Sequence, residues 1–159
     1  MNNSTIQALV FASIVDTALQ NFGDAYNLGI DLTNISNLKR DTTTNDITIK
    51  EHNNHSSNDL INQSNIVNFT KYESALGFSN SALKKFYNEI SSIQPQTEEN
   101  NMTNQNYLKK LENGLVEFNN AIKNKEDPMK VMEIVHTKVH PNLQILFNLK
   151  IDYEKTNYF

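Results

Sequence analysis

Apolar residues recur at spacings of three and four in separate stretches of this chain, with polar residues between them. Ile6, Leu9, Phe11, Ile14, Val15, Ala18, Leu19, Phe22 and Tyr26 form the first stretch. This is the period of an α-helix with one wide buried face. Ser4 with Gln7 three residues later has the capping-box form and Gly29 is a natural stop, so the pattern predicts a helix over residues 5–28. Gly23 inside the run costs about 1 kcal/mol relative to alanine and is a second place for the helix to end.

Phe69, Tyr72, Leu76, Leu83, Phe86, Ile90 and Ile93 repeat the pattern before Pro95, which predicts a helix over 65–93. Leu108, Leu111, Leu115, Phe118 and Ile122 predict a third over 98–125, with Thr97 or Thr103 as its cap. Asp127 followed by Pro128 reads as an N-cap and a first-turn proline. They open a fourth helix, over 128–150, whose stripe is Met132, Val135, Val139, Leu143 and Leu146. The last two connections are short, so the helices they join are antiparallel neighbours. The expected fold is all-α: a four-helix bundle forming one domain over residues 1–159. A long polar crossover, residues 29–64, joins helices one and two, and residues 151–159 form a tail.

Composition narrows the chemistry. The formal net charge is −4 and the basic residues are scattered, which leaves no source for the phosphate neutralisation that nucleic-acid binding requires. There is no cysteine, so thiol redox chemistry, disulfides and thiolate metal sites are excluded together. Asparagine is unusually frequent at roughly one residue in six. Several Asn-x-Ser/Thr triplets follow, Asn34-Ile35-Ser36 and Asn68-Phe69-Thr70 among them, a pattern that leans toward an exported protein. No apolar window approaches the roughly 20 residues of a membrane span. No Lys or Arg precedes the first apolar run, so the start does not read as a signal peptide, and an exported chain is expected to be a mature form.

Two of the four histidines, His136 and His140, stand four residues apart in EIVHTKVHP. In a helix this spacing puts both imidazoles on one side, and Glu133 adds the Glu-x-x-His spacing of bundle-core metal ligands. A di-iron centre needs that motif twice with two further glutamates, and it occurs once. A mononuclear copper or zinc site is the more economical metal reading, with His52 and His55 of EHNNH completing the shell. The plainer reading makes His136 a partly buried, hydrogen-bonded histidine beside the core stripe. His140 then lies nearer the rim, at the kink or restart that Pro141 imposes. Asp16, Asp24, Glu73, Glu89, Glu112 and Glu117 are expected on solvated faces. No phosphate loop, nucleophile elbow or zinc-protease motif is present, and the chain is expected not to be an enzyme. Tyr153, Tyr158 and Phe159 make the polar tail a candidate docking peptide.

The segment DPMKVMEIVHTKVHPNLQILFNL, with QNFGDAYNLGIDLTN and YESALGFSNSALKKF, resembles small helical proteins of ammonia-oxidising archaea. The resemblance implies an all-helical fold and an extracytoplasmic place on the outer face of the cell membrane. It also implies a role as an accessory subunit of a membrane complex, the copper-dependent ammonia monooxygenase being the natural candidate. It carries no functional residues over to this chain. The function expected is therefore a non-enzymatic helical interaction protein that docks on membrane protein subunits, with a histidine-based copper or zinc bundle as the alternative.

Overall fold

The computed structural model describes residues 2–36, 66–93 and 101–149. Every regular element among them is helical: α1 (Asn3–Ala25), α2 (Phe69–Asn88) with a 3₁₀ turn at Ile90–Ser92, α3 (Asn101–Lys123), and a last rod. That rod is α4 (Pro128–Ile134), a π turn (Val135–Val139) and α5 (His140–Phe147) in direct succession. α1 packs along α2, α2 along α3, and α3 along the last rod, which returns to α1. The four-helix bundle expected from the pattern is therefore present.

Contacts between the ends fix the directions. The amide of Val67, just before α2, donates to the carbonyl of Ala25 at the end of α1 (2.8 Å). Tyr72 near the start of α2 donates its hydroxyl to the carbonyl of Ile122 near the end of α3 (3.0 Å). Adjacent helices thus run antiparallel. α2 therefore starts beside the end of α1, and residues 37–65, most of the long crossover expected between them, lie outside the described residues.

The seams follow heptad-like spacing, but small residues carry much of them. On α2 the buried positions are Tyr72, Ala75, Ser79, Ala82 and Phe86, spaced three, four, three, four. They face Ala8, Phe11, Val15, Ala18, Leu19 and Phe22 of α1. Alanines on both faces let two helices approach closely, since the interaxial distance is set by the side chains at the contact. Leu76 and Leu83, expected in the stripe, flank this seam half-buried. Phe69 is 61 % exposed, and Ile6 and Leu9 also face outward. Leu111, Leu115, Phe118 and Ile122 of α3 are buried as the spacing predicts, each side chain contributing about 1.5–3 kcal/mol of transfer free energy.

The buried Asn119 and Ser79 are paired across the seam between α2 and α3. Asn119 donates its amide to Ser79 Oγ (2.9 Å) and to Asn80 Oδ1 (2.8 Å), and Ser79 in turn donates to the carbonyl of Leu76 (3.0 Å). The caps partly differ from expectation. Asn2, not Ser4, caps α1 by accepting from the Thr5 amide (2.8 Å), so the helix begins two residues earlier. It stops at Ala25, because Asn27 turns left-handed (φ 54°) before Gly29 does (φ 69°). α2 starts only at Phe69, capped by Asn68, and tightens into 3₁₀ geometry after Asn88. Thr103 lies inside α3 and cannot cap it. Asp127 behaves as predicted, accepting from the Met129 amide (2.9 Å) ahead of Pro128.

Candidate functional site

Pro141 shapes the only place among the described residues where ionisable side chains gather inside the bundle. A proline in a helix has no N–H for the carbonyl four residues back, and its ring crowds that carbonyl. The chain absorbs this by widening one turn instead of breaking. The His140 amide donates to the carbonyl of Val135, an i to i−5 bond, and Val135–Val139 form a π turn. The side-chain amide of Asn142 donates to the Lys138 carbonyl within the turn (2.6 Å). Thr137 donates its hydroxyl to the carbonyl of Glu133 (2.7 Å). Such single π turns concentrate at functional sites.

The wide turn holds one more residue than an α turn, so it advances by less than about 100° per residue. Four residues then come closer to a full circle, and His140 falls inward with His136 instead of toward the rim. Both are buried, at 3 % and 1 % exposure, and their rings meet edge to face with centroids 5.4 Å apart. The rim position expected for His140 is thus corrected by the π turn, which a fixed helical angle does not anticipate.

Each imidazole has a named partner from another element. His136 Nε2 lies 2.9 Å from the carbonyl oxygen of Leu32, in the turn after α1, and must donate to it because a carbonyl only accepts. Leu32 itself is fully buried, with its side chain laid on Gly23. A β-carbon at Gly23 would come within 2.8 Å of Leu32 Cδ1, so glycine here makes room for the turn. His140 Nε2 lies 2.9 Å from Oδ1 of Asp16 on α1, within ion-pair range though not aligned as a hydrogen bond. Burial, the largest influence, holds the His136 imidazole below its ordinary pKa. The neighbouring His140 acts in the same direction, while the Leu32 bond, Asp16 and Asp31 act against it.

On the far side of the π turn stands Gly114 of α3. A β-carbon built there would lie 2.8 Å from the Lys138 carbonyl oxygen and 3.0 Å from Lys138 Cβ, so only glycine lets α3 seat against the widened backbone. Beside it Lys138 bridges both carboxylate oxygens of Glu117 (2.7 and 3.0 Å).

Of the residues the sequence singled out, His136 and His140 are brought together. Glu133 is exposed on α4. His52, His55, Tyr153, Tyr158 and Phe159 lie outside the described residues. Among the described residues no group of three His, Asp or Glu side chains is placed to hold a metal ion. Two participants were missed. Asp16 was assigned to a solvated face, although it is the first charged residue after a run of uncharged ones and sits one position past the core residue Val15. Leu32 contributes through its backbone, which leaves no signature in side-chain chemistry. No protein-family model, curated protein or solved structure matches the chain. Fold and site together define an all-helical bundle with a buried histidine pair and one carboxylate partner at a π turn.

Proposed function

We propose that this chain is a non-enzymatic helical interaction protein, an accessory subunit that docks on a membrane protein complex at the outer face of the cell. The observation that carries the reading is the N-terminal half of α1. From Asn3 to Val15 it has no charged residue, and Ile6, Leu9 and Val10 are 46 %, 36 % and 46 % exposed. At spacings of three and four they share one helical face. A run of apolar side chains on a charge-free helix is unusual for a surface facing only water, and fits a protein contact. No helix among the described residues is long and apolar enough to cross a membrane, so the reading is one of docking on other subunits. The sequence resemblance makes an ammonia monooxygenase the assembly to test first.

The test is crosslinking mass spectrometry on native membranes, with a photoreactive crosslinker because α1 contains no lysine. Reproducible crosslinks to the subunits of one integral-membrane assembly are expected. The purified chain should rebind that solubilised assembly, and Ile6→Asp with Val10→Asp should abolish rebinding while leaving the bundle folded. A chain recovered free of membrane subunits, or a double variant that rebinds as wild type does, would refute the proposal.

A further inference from the structure

We propose that Asn68 is an asparagine-linked glycosylation site, which places a glycan at the end of the bundle away from the apolar face of α1. The inference deepens the docking reading and rests on it for one thing, the extracytoplasmic location that gives the chain access to a glycosylating enzyme. Asn68-Phe69-Thr70 has the acceptor pattern, an asparagine with a hydroxyl two residues on and no proline between them. All three residues are exposed. Asn68 caps α2 through Oδ1, which accepts from the Lys71 amide (3.1 Å). A glycan on Nδ2 leaves that carbonyl oxygen and one N–H in place, so the cap and the modification are compatible.

The surroundings of Asn68 single it out. Val67 and Phe69, on either side of it, are large apolar residues left 68 % and 61 % exposed. Beside an acceptor asparagine they offer surface for the C–H face of the first sugar, and covering them takes apolar area out of water. Asn34-Ile35-Ser36 is worse placed: all three residues are half-buried, and Asn34 Oδ1 accepts from the Ser36 amide (2.9 Å) two positions from the fully buried Leu32. Asn2 and Asn3 stand within about one turn of Ile6, on the side of α1 that docking needs bare. The Asn68 amide, by contrast, donates to the carbonyl of Ala25 (3.1 Å). Ala25 lies about 22 Å along α1 from Val10, so a glycan at Asn68 clears the docking face. The donor required is an oligosaccharide linked to a polyprenyl phosphate, used by a membrane-bound transferase. The bond from the anomeric carbon to the phosphate oxygen breaks, the bond from that carbon to Nδ2 forms, Nδ2 gives up one proton, and the lipid-linked phosphate leaves. The product is a bulky, hydrated group on a surface asparagine.

The test is mass spectrometry of the chain recovered from its source cells, with electron-transfer fragmentation, which leaves a glycan on its asparagine. The tryptic peptide ending at Lys71 should carry one or more sugar residues located on Asn68. Thr70→Ala, expressed in the same cells, should lose that glycan while keeping the Asn68 cap, and Thr70→Ser should retain it. In parallel, a membrane-impermeant amine reagent applied to intact cells should label exposed lysines such as Lys71 and Lys123, which reads location independently of the glycan. A labelled chain with a bare Asn68 would overturn the glycosylation site and leave the docking reading standing. A chain neither labelled nor glycosylated would overturn both. A glycan on Asn68 that persists in Thr70→Ala would overturn the assignment of the triplet as the acceptor.

Discussion

Replacing Gly114 by alanine tests whether the π turn and α3 are fitted to one another. In an exposed helix the change should stabilise, since glycine is about 1 kcal/mol less favourable than alanine in a helix interior. At Gly114 the new methyl would meet the Lys138 carbonyl oxygen at 2.8 Å, its Cβ at 3.0 Å and its carbonyl carbon at 3.1 Å. Two of these three atoms are backbone, so relief requires moving the π turn and, with it, His136 and His140. Overpacking of this kind costs about 1–3 kcal/mol, and a rigid neighbour belongs in the upper half of that range. After the propensity gain, the net loss is about 1–2 kcal/mol, equivalent to a melting point lower by about 2–8 °C for a chain of this size. Gly77 of α2 is the control, because a β-carbon there meets nothing within 4 Å. Gly77→Ala should stabilise by about 0.5–1 kcal/mol. Urea unfolding followed by circular dichroism at 222 nm, with the slope m checked for constancy, reads both variants on one scale. If Gly114→Ala proves as stable as wild type, or gains as much as Gly77→Ala, the close packing of α3 on the widened turn is refuted.

Three further outcomes follow from the same structure. Tyr72→Phe removes the hydroxyl that reaches the Ile122 carbonyl at the end of α3, and should lower urea stability by about 1 kcal/mol; no change would mean the bond contributes nothing in water. Asn119→Leu should cost a similar amount by depriving Ser79 and Asn80 of their donor. Adding Ser79→Ala to it should cost less than the sum of the single changes, by at least about 0.5 kcal/mol, and strict additivity would argue against the network. His136 has a folded pKa below its unfolded value of about 6.5, so below that pH the unfolded chain binds the extra proton more readily. Stability from this group is therefore complete above about pH 6.5 and falls as pH drops toward the folded pKa. His136→Gln should show a shallower loss of urea midpoint between pH 7.5 and 5, and an unaltered slope would contradict the burial of a neutral ring.

The helical architecture was legible because period, caps and breakers agreed. Asp127-Pro128 marked the start of α4 in the chain itself, and the stripe of Leu111, Leu115, Phe118 and Ile122 on α3 is the buried stripe of the fold. What the stripe argument missed on α2 is physical: it follows large residues, whereas Ala75, Ser79 and Ala82 are buried because their small size lets α1 come close. The same bias put Phe69, Ile6 and Leu9 in the core, although Phe69 is exposed at the start of α2, and Ile6 and Leu9 lie on the outer face of α1 while Ala8 and Phe11 take the inner one. The histidine pair was legible as a pair. Its depth was not, since that depth depends on a change in turn size induced one residue beyond it. Asp16 was hidden for a related reason: a single carboxylate on a long helix gains its role from a residue 124 positions away in sequence, and no local pattern records that partnership.

Proline at 141 and glycine at 114 answer a single packing problem from two sides. The proline cannot donate to the Thr137 carbonyl four residues earlier, and the turn before it is wide; Asn142 donates its side-chain amide to the Lys138 carbonyl and Gly114 leaves room for it. The widening carries His140 into the core, where a polar ring is tolerated only with a partner, and Asp16 is the partner α1 presents. A proline-to-alanine change at 141 would remove the reason for the wide turn, but an α-helical turn in its place would rotate His140 back toward the rim and uncouple it from Asp16. The ionisable cluster is thus built into the backbone through one missing hydrogen bond, with Gly114 of α3 seated against the widened turn that carries it.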